Sequence, residues 1–328
     1  VGNESQERMG MLIAEKNIEH VRRIAERERA PMYVVGETTD DHRFVFEQKD
    51  GVRPIDLNME DMFGKAPRTV MRDETVEEKY EDVTYNAADI HQYVEQVLQL
   101  EAVACKDWLT NKVDRSVTGK VARQQCQGEI QLPLSDCGVV ALDYRGKSGI
   151  ATSIGHAPQA AMIDPAAGSV LSVAEALTNI VWAPLSEGLD SVSLSANWMW
   201  PCKNPGEDAR LYKAVEACSR FACELGINIP TGKDSLSMTQ KYGDEKVYSP
   251  GTVIISAGAE VSDVKKVVSP VLVRDARTAV YYIDFSFDAL SLGGSAFAQS
   301  LGKVGCQAPT VQDSEYFASA FNAIQQLI

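Results

Sequence analysis

Three oxygen-bearing side chains, Asp136, Glu175 and Asn179, are the residues of this 328-residue chain best suited to chemistry. Carboxylate and amide oxygens are hard donors of the kind Mg²⁺ selects, commonly alongside waters and nucleotide phosphates. Glu175 and Asn179 are four positions apart, so on a helix they share one face, one turn apart. No Lys or Arg lies between Lys147 and Lys203, so Glu175 lacks the helical cation partner that a surface helix usually supplies. Two readings follow for the pair: a solvated polar stripe, or part of a cation site. Asp136 reads equally as a turn carboxylate. Lys233, in the run TGKDS from Thr231 to Ser235, is either a phosphate contact or a solvated lysine. TGKDS looks like the end of a phosphate-binding loop, but the GxxxxGK spacing and the following helix are missing, which excludes that motif. His20, His42, His91 and His156 sit in no nucleophile–base pattern. The seven cysteines form no CxxC pair, and the odd number favours reduced, mostly buried thiols over a zinc site or a disulfide framework.

The elements that must position these groups follow from pattern. Asp164 suits a helix cap and Pro165 the first helical position, so a helix starts there. Its apolar residues, Val170, Leu171, Val173, Ala174, Leu177, Ile180 and Val181, cover most of its circumference, leaving Ser172, Glu175, Thr178 and Asn179 as a stripe. Ser135 and Asp136 interrupt two strand-like runs, Ile130–Leu134 and Cys137–Leu142. Further strands are predicted at Ser191–Ala196, ending in Asn197 and a Trp-rich loop, at Ile227–Pro230 with TGKDS as the loop after it, and at Thr252–Ala257. A helix is predicted over Asp208–Leu225, closed by Gly226, and a hairpin near Tyr242–Glu245. Upstream, Arg8–Ala14, Pro31–Gly36 and Arg43–Gln48 read as strands, Ile18–Glu28 and Asn86–Leu109 as helical, and Asp114–Gly119 as a polar loop. Downstream, Thr278–Phe285 reads as a strand, followed by the loop Leu292–Ser295 and a helix. Trp182, Trp198 and Trp200 read as packing residues rather than a base-stacking platform.

The length suits about two domains, and 45% hydrophobic with 24% charged residues is ordinary for a globular protein. A formal charge of −14 argues against a nonspecific nucleic-acid binder. No apolar run is long enough for a membrane span and nothing at the start resembles a signal peptide, so a cytoplasmic protein is expected. A chain that opens in strand-like sequence without an initiator Met is expected to be a segment of something longer.

Six motifs in order, NESQERM at Asn3–Met9, DRSVTG at Asp114–Gly119, LSDC at Leu134–Cys137, DPAAG followed by VAEALTN, TGKDS and LGGSA, resemble the phosphoribosylformylglycinamidine synthase family (formylglycinamide ribonucleotide amidotransferases) of the large, single-chain type. The resemblance implies an α/β (α+β) chain with the aminoimidazole ribonucleotide synthetase-like fold, mixed sheets packed with helices and incomplete flanking subdomains. It implies that residues 1–72 close the first synthetase-like copy and that 73–82 form a linker. Residues 83–266 then form the amino-terminal subdomain of the second copy, and 270–328 open that copy's carboxyl-terminal subdomain. It implies Mg²⁺ on Asp136, Glu175 and Asn179, and ATP or ADP near Ser135, Gly232, Lys233 and Ser235, with Lys233 standing where the related small-type enzymes have Asn. Glu4, Ser5 and Gln6 match a segment that contacts formylglycinamide ribonucleotide. The implied reaction is ATP-dependent amidine formation through an iminophosphate, with ammonia from a glutaminase domain elsewhere in the polypeptide. No glutaminase triad and no glycine-rich ATP loop are found here, and this segment is expected to be inactive alone, with no residue assigned a catalytic role. The implied partners are small-molecule substrates and the remaining domains, with no nucleic acid and no membrane. The alternative is a non-catalytic structural half that holds an auxiliary Mg²⁺-nucleotide. The sibling families, selenophosphate synthetases and thiamine monophosphate kinases, leave NESQERM unexplained.

Overall fold

The structure is a computed structural model that describes residues 8–65, 68, 70–76, 78–110, 115 and 119–328. It divides into two units, Val1–Val70 and Met71–Ile328. In the first unit a 3₁₀ turn leads into α1 (Ile18–Arg27), and the antiparallel pair β1 (Arg43–Phe46) and β2 (Ile55–Asn58) runs into α2 (Met59–Phe63). The expected helix and the strand at Arg43 are present. Arg8–Ala14 and Pro31–Gly36, expected as strands, carry no regular structure among the described residues. A strand is defined by its partner, and here β1 and β2 pair only with each other. Glu4, Ser5 and Gln6 lie outside the described residues.

In the second unit the expected linker stretch has no helix or strand among its described residues. The helical run predicted to Leu109 breaks into α3 (Ile90–Leu98) and the short α4 (Asp107–Thr110). Most of the Asp114–Gly119 loop lies outside the described residues. A small hairpin of β4 (Cys126–Gln127) and β5 (Leu132–Pro133) follows β3 (Val121–Arg123). After it come β6 (Cys137–Ala141), β7 (Gly149–Gly155), α5 (Pro158–Ile163), α6 (Pro165–Ile180), β8 (Ser193–Met199) and α7 (Glu207–Glu224). The order continues through β9 (Asn228–Ser235), the hairpin β10 (Thr239–Tyr242) and β11 (Glu245–Tyr248), and β12 (Thr252–Val261), to α8 (Ala296–Ser300) and α9 (Ser314–Leu327).

The centre of this unit is a six-stranded mixed sheet in the order β3-β6-β7-β12-β8-β9, antiparallel except for the parallel pair β8 and β9. Burial alternates along β7, with Ala151, Ser153 and Gly155 turned inward and Ile150, Thr152 and Ile154 outward, as period-two side-chain geometry requires of a sheet covered on one face. The inward face packs on α6, and α7 lies beside α6. Val139, Ala151, Val173, Leu177, Ile180, Leu194, Phe221, Ile255 and Phe317 form the middle of one continuous core.

Three expectations need correction. TGKDS is the second half of strand β9 rather than a loop, because its backbone pairs with β8 from Ser195↔Thr231 to Met199↔Ser235. The same pairing carries β8 through Asn197 and Trp198, which were expected to leave the strand. Thr278–Phe285 forms no strand, since nothing in this unit pairs with it among the described residues. Trp200 is 1% exposed and Trp198 packs at the core edge, as packing residues should, whereas Trp182 is half-exposed. The cysteines are all free thiols, but Cys105, Cys223 and Cys306 are exposed, so the expectation of mostly buried thiols holds only for Cys126, Cys137 and Cys218, with Cys202 intermediate.

Candidate functional site

Helix α6 begins as its sequence predicts: the Asp164 side chain accepts hydrogen bonds from the N–H groups of Ala166 (2.8 Å) and Ala167 (3.4 Å), with Pro165 in the first turn. Its polar stripe is neither idle nor solvated throughout. Ser172, fully buried, accepts from the Ala157 N–H at 3.1 Å and donates to the Gly168 carbonyl at 2.9 Å. Glu175 Oε2 accepts from the His156 N–H at 2.6 Å, and Asn179 Nδ2 donates to the Ile154 carbonyl at 2.9 Å. One turn deeper, Ser153 Oγ donates to the Ala176 carbonyl at 2.6 Å. The stripe therefore laces the end of β7 onto the helix, satisfying backbone groups that leave the sheet there.

This lacing requires very close approach. A Cβ at Gly155 would collide with the backbone O of Ser172 and N of Ala176 and lie 3.0 Å from the Glu175 Cβ. Glycine alone lets strand and helix backbones meet at this distance. The missing helical cation partner of Glu175 is thus answered in part by a backbone N–H. Glu175 remains exposed, and among the described residues its Oε1 and the Asn179 Oδ1 take no hydrogen bond.

Asp136 directly precedes β6, whose Cys137 pairs with Ser153, so it lies at the same end of the sheet as Ile154, Gly155 and His156. Asp136 is exposed by surface area, yet partial desolvation by its neighbours pushes its carboxyl above the ordinary carboxylate range. Ser135 is tied down locally: its N–H donates to the Gln125 carbonyl at 3.1 Å and its Oγ to the Cys137 carbonyl at 3.1 Å.

The strand registers extend this end of the sheet to the last motif. Gly155 is opposite Ile255, Ile255 opposite Ala196, and Ala196 opposite Gly232. At a strand spacing of about 4.8 Å, this transverse row carries the sheet about 14 Å from β7 to β9. The Asp136 side, the Glu175–Asn179 pair and the Gly232–Ser235 segment therefore share one end of one sheet without being in mutual contact. Lys233 Nζ donates to Ser235 Oγ at 2.6 Å and to the Asp234 carbonyl at 3.0 Å.

The donor set suits a small hard cation: two carboxylates and an amide, two oxygens still free, and an acid whose charge lacks an answer. Among the described residues no three His, Cys, Asp or Glu side chains form a ready-made metal cluster. Sequence reasoning missed His156 and Gly155, whose GHAP context in a run of small residues gave no periodic signal. The close approach at Gly155 could have been suspected only from its position just before a helix start.

Comparison with known proteins bears on the family and the fold. Residues 105–260 match the FGAR-AT PurM_N-like domain family. The full chain aligns at 38% identity over 345 residues with phosphoribosylformylglycinamidine synthase of Homo sapiens, covering 100% of this chain and 26% of the relative. The chain thus spans about a quarter of the length of that curated relative. The solved structure of PurLQS from Thermotoga maritima superimposes with a TM-score of 0.53 at 14% identity, over 78% of this chain and 38% of that one. That likeness, with the domain match, gives the mixed α/β architecture as the aminoimidazole ribonucleotide synthetase-like fold. Six ordered motifs, that fold and an identity running the length of the chain lead to one assignment: the chain belongs to the phosphoribosylformylglycinamidine synthase family.

Proposed function

We propose that this chain works as part of a purine-biosynthetic ligase that converts formylglycinamide ribonucleotide, ATP and glutamine-derived ammonia to the amidine ribonucleotide, ADP and phosphate. The observation that carries the reading is the end-to-end alignment with the human synthase. Its physical support is the single sheet end that presents Asp136, Glu175 and Asn179 on one side and Gly232–Ser235 on the other. In this reading Asp136, Glu175 and Asn179 hold Mg²⁺, which when bound neutralises phosphate charge. Ser135, Gly232, Lys233 and Ser235 contact the nucleotide, and Glu4, Ser5 and Gln6 contact the ribonucleotide substrate. The glutaminase and the remaining domains lie elsewhere in the same cytoplasmic polypeptide, and the segment alone does not turn over.

The test separates bracing from cation binding. Glu175→Gln keeps an oxygen for the His156 N–H but loses the charge. In the full-length protein it is expected to lower Mg²⁺–ADP affinity, read by calorimetry, and ammonium-dependent amidine formation, each by at least about tenfold. Its ligand-free thermal transition should stay near that of the parent. Unchanged nucleotide affinity and turnover would sink the proposal.

A further inference from the structure

Asn197 presents a buried side-chain oxygen, Oδ1, that has no hydrogen-bond partner among the described residues. Buried acceptors are almost always satisfied, and an unpaired one weakens the folded state unless something else makes use of it. Two residues flank Asn197 across the sheet. Ile254 on β12 has no side-chain donor, whereas Lys233 on β9 has three. Asn197 and Lys233 are register partners on parallel strands, so their side chains leave the same face about 4.8 Å apart. The strands are pressed together at this point, since a Cβ at Gly232 would collide with the Ala196 carbonyl.

We propose that Asn197 is a positioning residue for Lys233, its amide oxygen being where the ammonium group settles when an anionic ligand reaches this end of the sheet. The proposal rests on the reading of Gly232–Ser235 as a phosphate contact. Lys233 Nζ donates two protons to neutral acceptors of its own strand, Ser235 Oγ and the Asp234 carbonyl. The side chain is exposed, and both bonds are exchangeable with water. Keeping Ser235 Oγ, taking Asn197 Oδ1 and turning its third proton to a phosphate oxygen satisfies every donor. It also converts a flexible lysine into an aimed point charge. Asn197 touches no ligand and acts only through Lys233.

The experiment is a double-mutant cycle in the full-length protein, titrating ADP with excess Mg²⁺ by calorimetry. Lys233→Met is expected to weaken binding about tenfold and Asn197→Leu about fivefold. The double variant should be no weaker than Lys233→Met, because the second change has nothing left to act through. Asn197→Leu removes an unpaired buried oxygen, so the ligand-free Tm should hold or rise while affinity falls, opposite signs that a merely structural role would not give. Asn197→Ala should show the same coupling if leucine does not pack. Equal losses from the Asn197 change in both backgrounds, or no loss where Lys233→Met does weaken binding, would overturn the inference and leave the phosphate reading standing. No effect of Lys233→Met would overturn both.

Discussion

Glu175 does two things that a sequence reading treats as alternatives. One carboxylate oxygen braces the His156 N–H at 2.6 Å, and the other takes no hydrogen bond among the described residues, at the exposed end of the sheet. The bracing orients the carboxylate, because a short charge-assisted bond fixes its plane. Gly155 is what makes the bracing possible, and its replacement is the sharpest single-residue test of the arrangement. Gly155→Ala sets a methyl against the backbone of Ser172 and Ala176, which cannot rotate away. Overpacking of this kind costs about 1–3 kcal/mol, expected as a lower denaturation midpoint at unchanged m-value. Mg²⁺–ADP affinity should fall with it, since the added methyl pushes directly on the turn that carries Glu175. A parent-like midpoint would mean that strand and helix part easily, and that the lacing contributes little.

At the scale of elements, α6 was legible because cap, proline and apolar pattern agree over sixteen residues. Strand β7 was not: Gly149–Gly155 reads GIATSIG, small and permissive, and it is a strand because β6 and β12 flank it on both sides. The end of β9 was misread for the same reason, since TGKDS has turn composition and only its pairing with β8 extends it. Helix α7 gives a third case. Its own N-cap is Gly206, which offers no side chain, and the cap comes instead from Asp73, whose Oδ2 accepts the Asp208 N–H at 3.2 Å. The Gly206 N–H, with those of Glu74, Asp208 and Ala209, holds the Asp73 carboxyl below its ordinary value of 3.8. A folded-state pKa below the unfolded one means that the carboxylate stabilises the fold above the unfolded value, and that this stabilisation is lost as pH falls through the folded value. Asp73→Ala should therefore lower Tm at pH 7, and the gap from the parent should close as pH drops below about 3.8. A gap independent of pH would assign the effect to something other than the charged cap.

Across the whole molecule, local pattern foretold helices better than strands, and the reason is where the pairing partners lie. Arg8–Ala14, Pro31–Gly36 and Thr278–Phe285 have strand composition but no partner within their own unit, and none is a strand among the described residues. Asp136, Glu175 and Gly232 are brought to one sheet end by registers that no local pattern encodes. Burial divides the chain more sharply than secondary structure does. Among the described residues none before Val83 is buried, while the core from Cys137 to Ile324 lies wholly within Met71–Ile328. Stability follows buried apolar area, so the first unit should open locally at low cost and the second only globally. Limited trypsin digestion is expected to cut first at basic residues before Val70, such as Arg22, Arg29 or Lys65, all of which are exposed or half-buried. It should leave a fragment starting near Met71 whose melting transition matches that of the uncut chain. If that fragment instead melts well below the parent, or the first cuts fall within α6 or α7, the core does not stand alone, and the first unit must contribute stability that its own side-chain burial does not reveal.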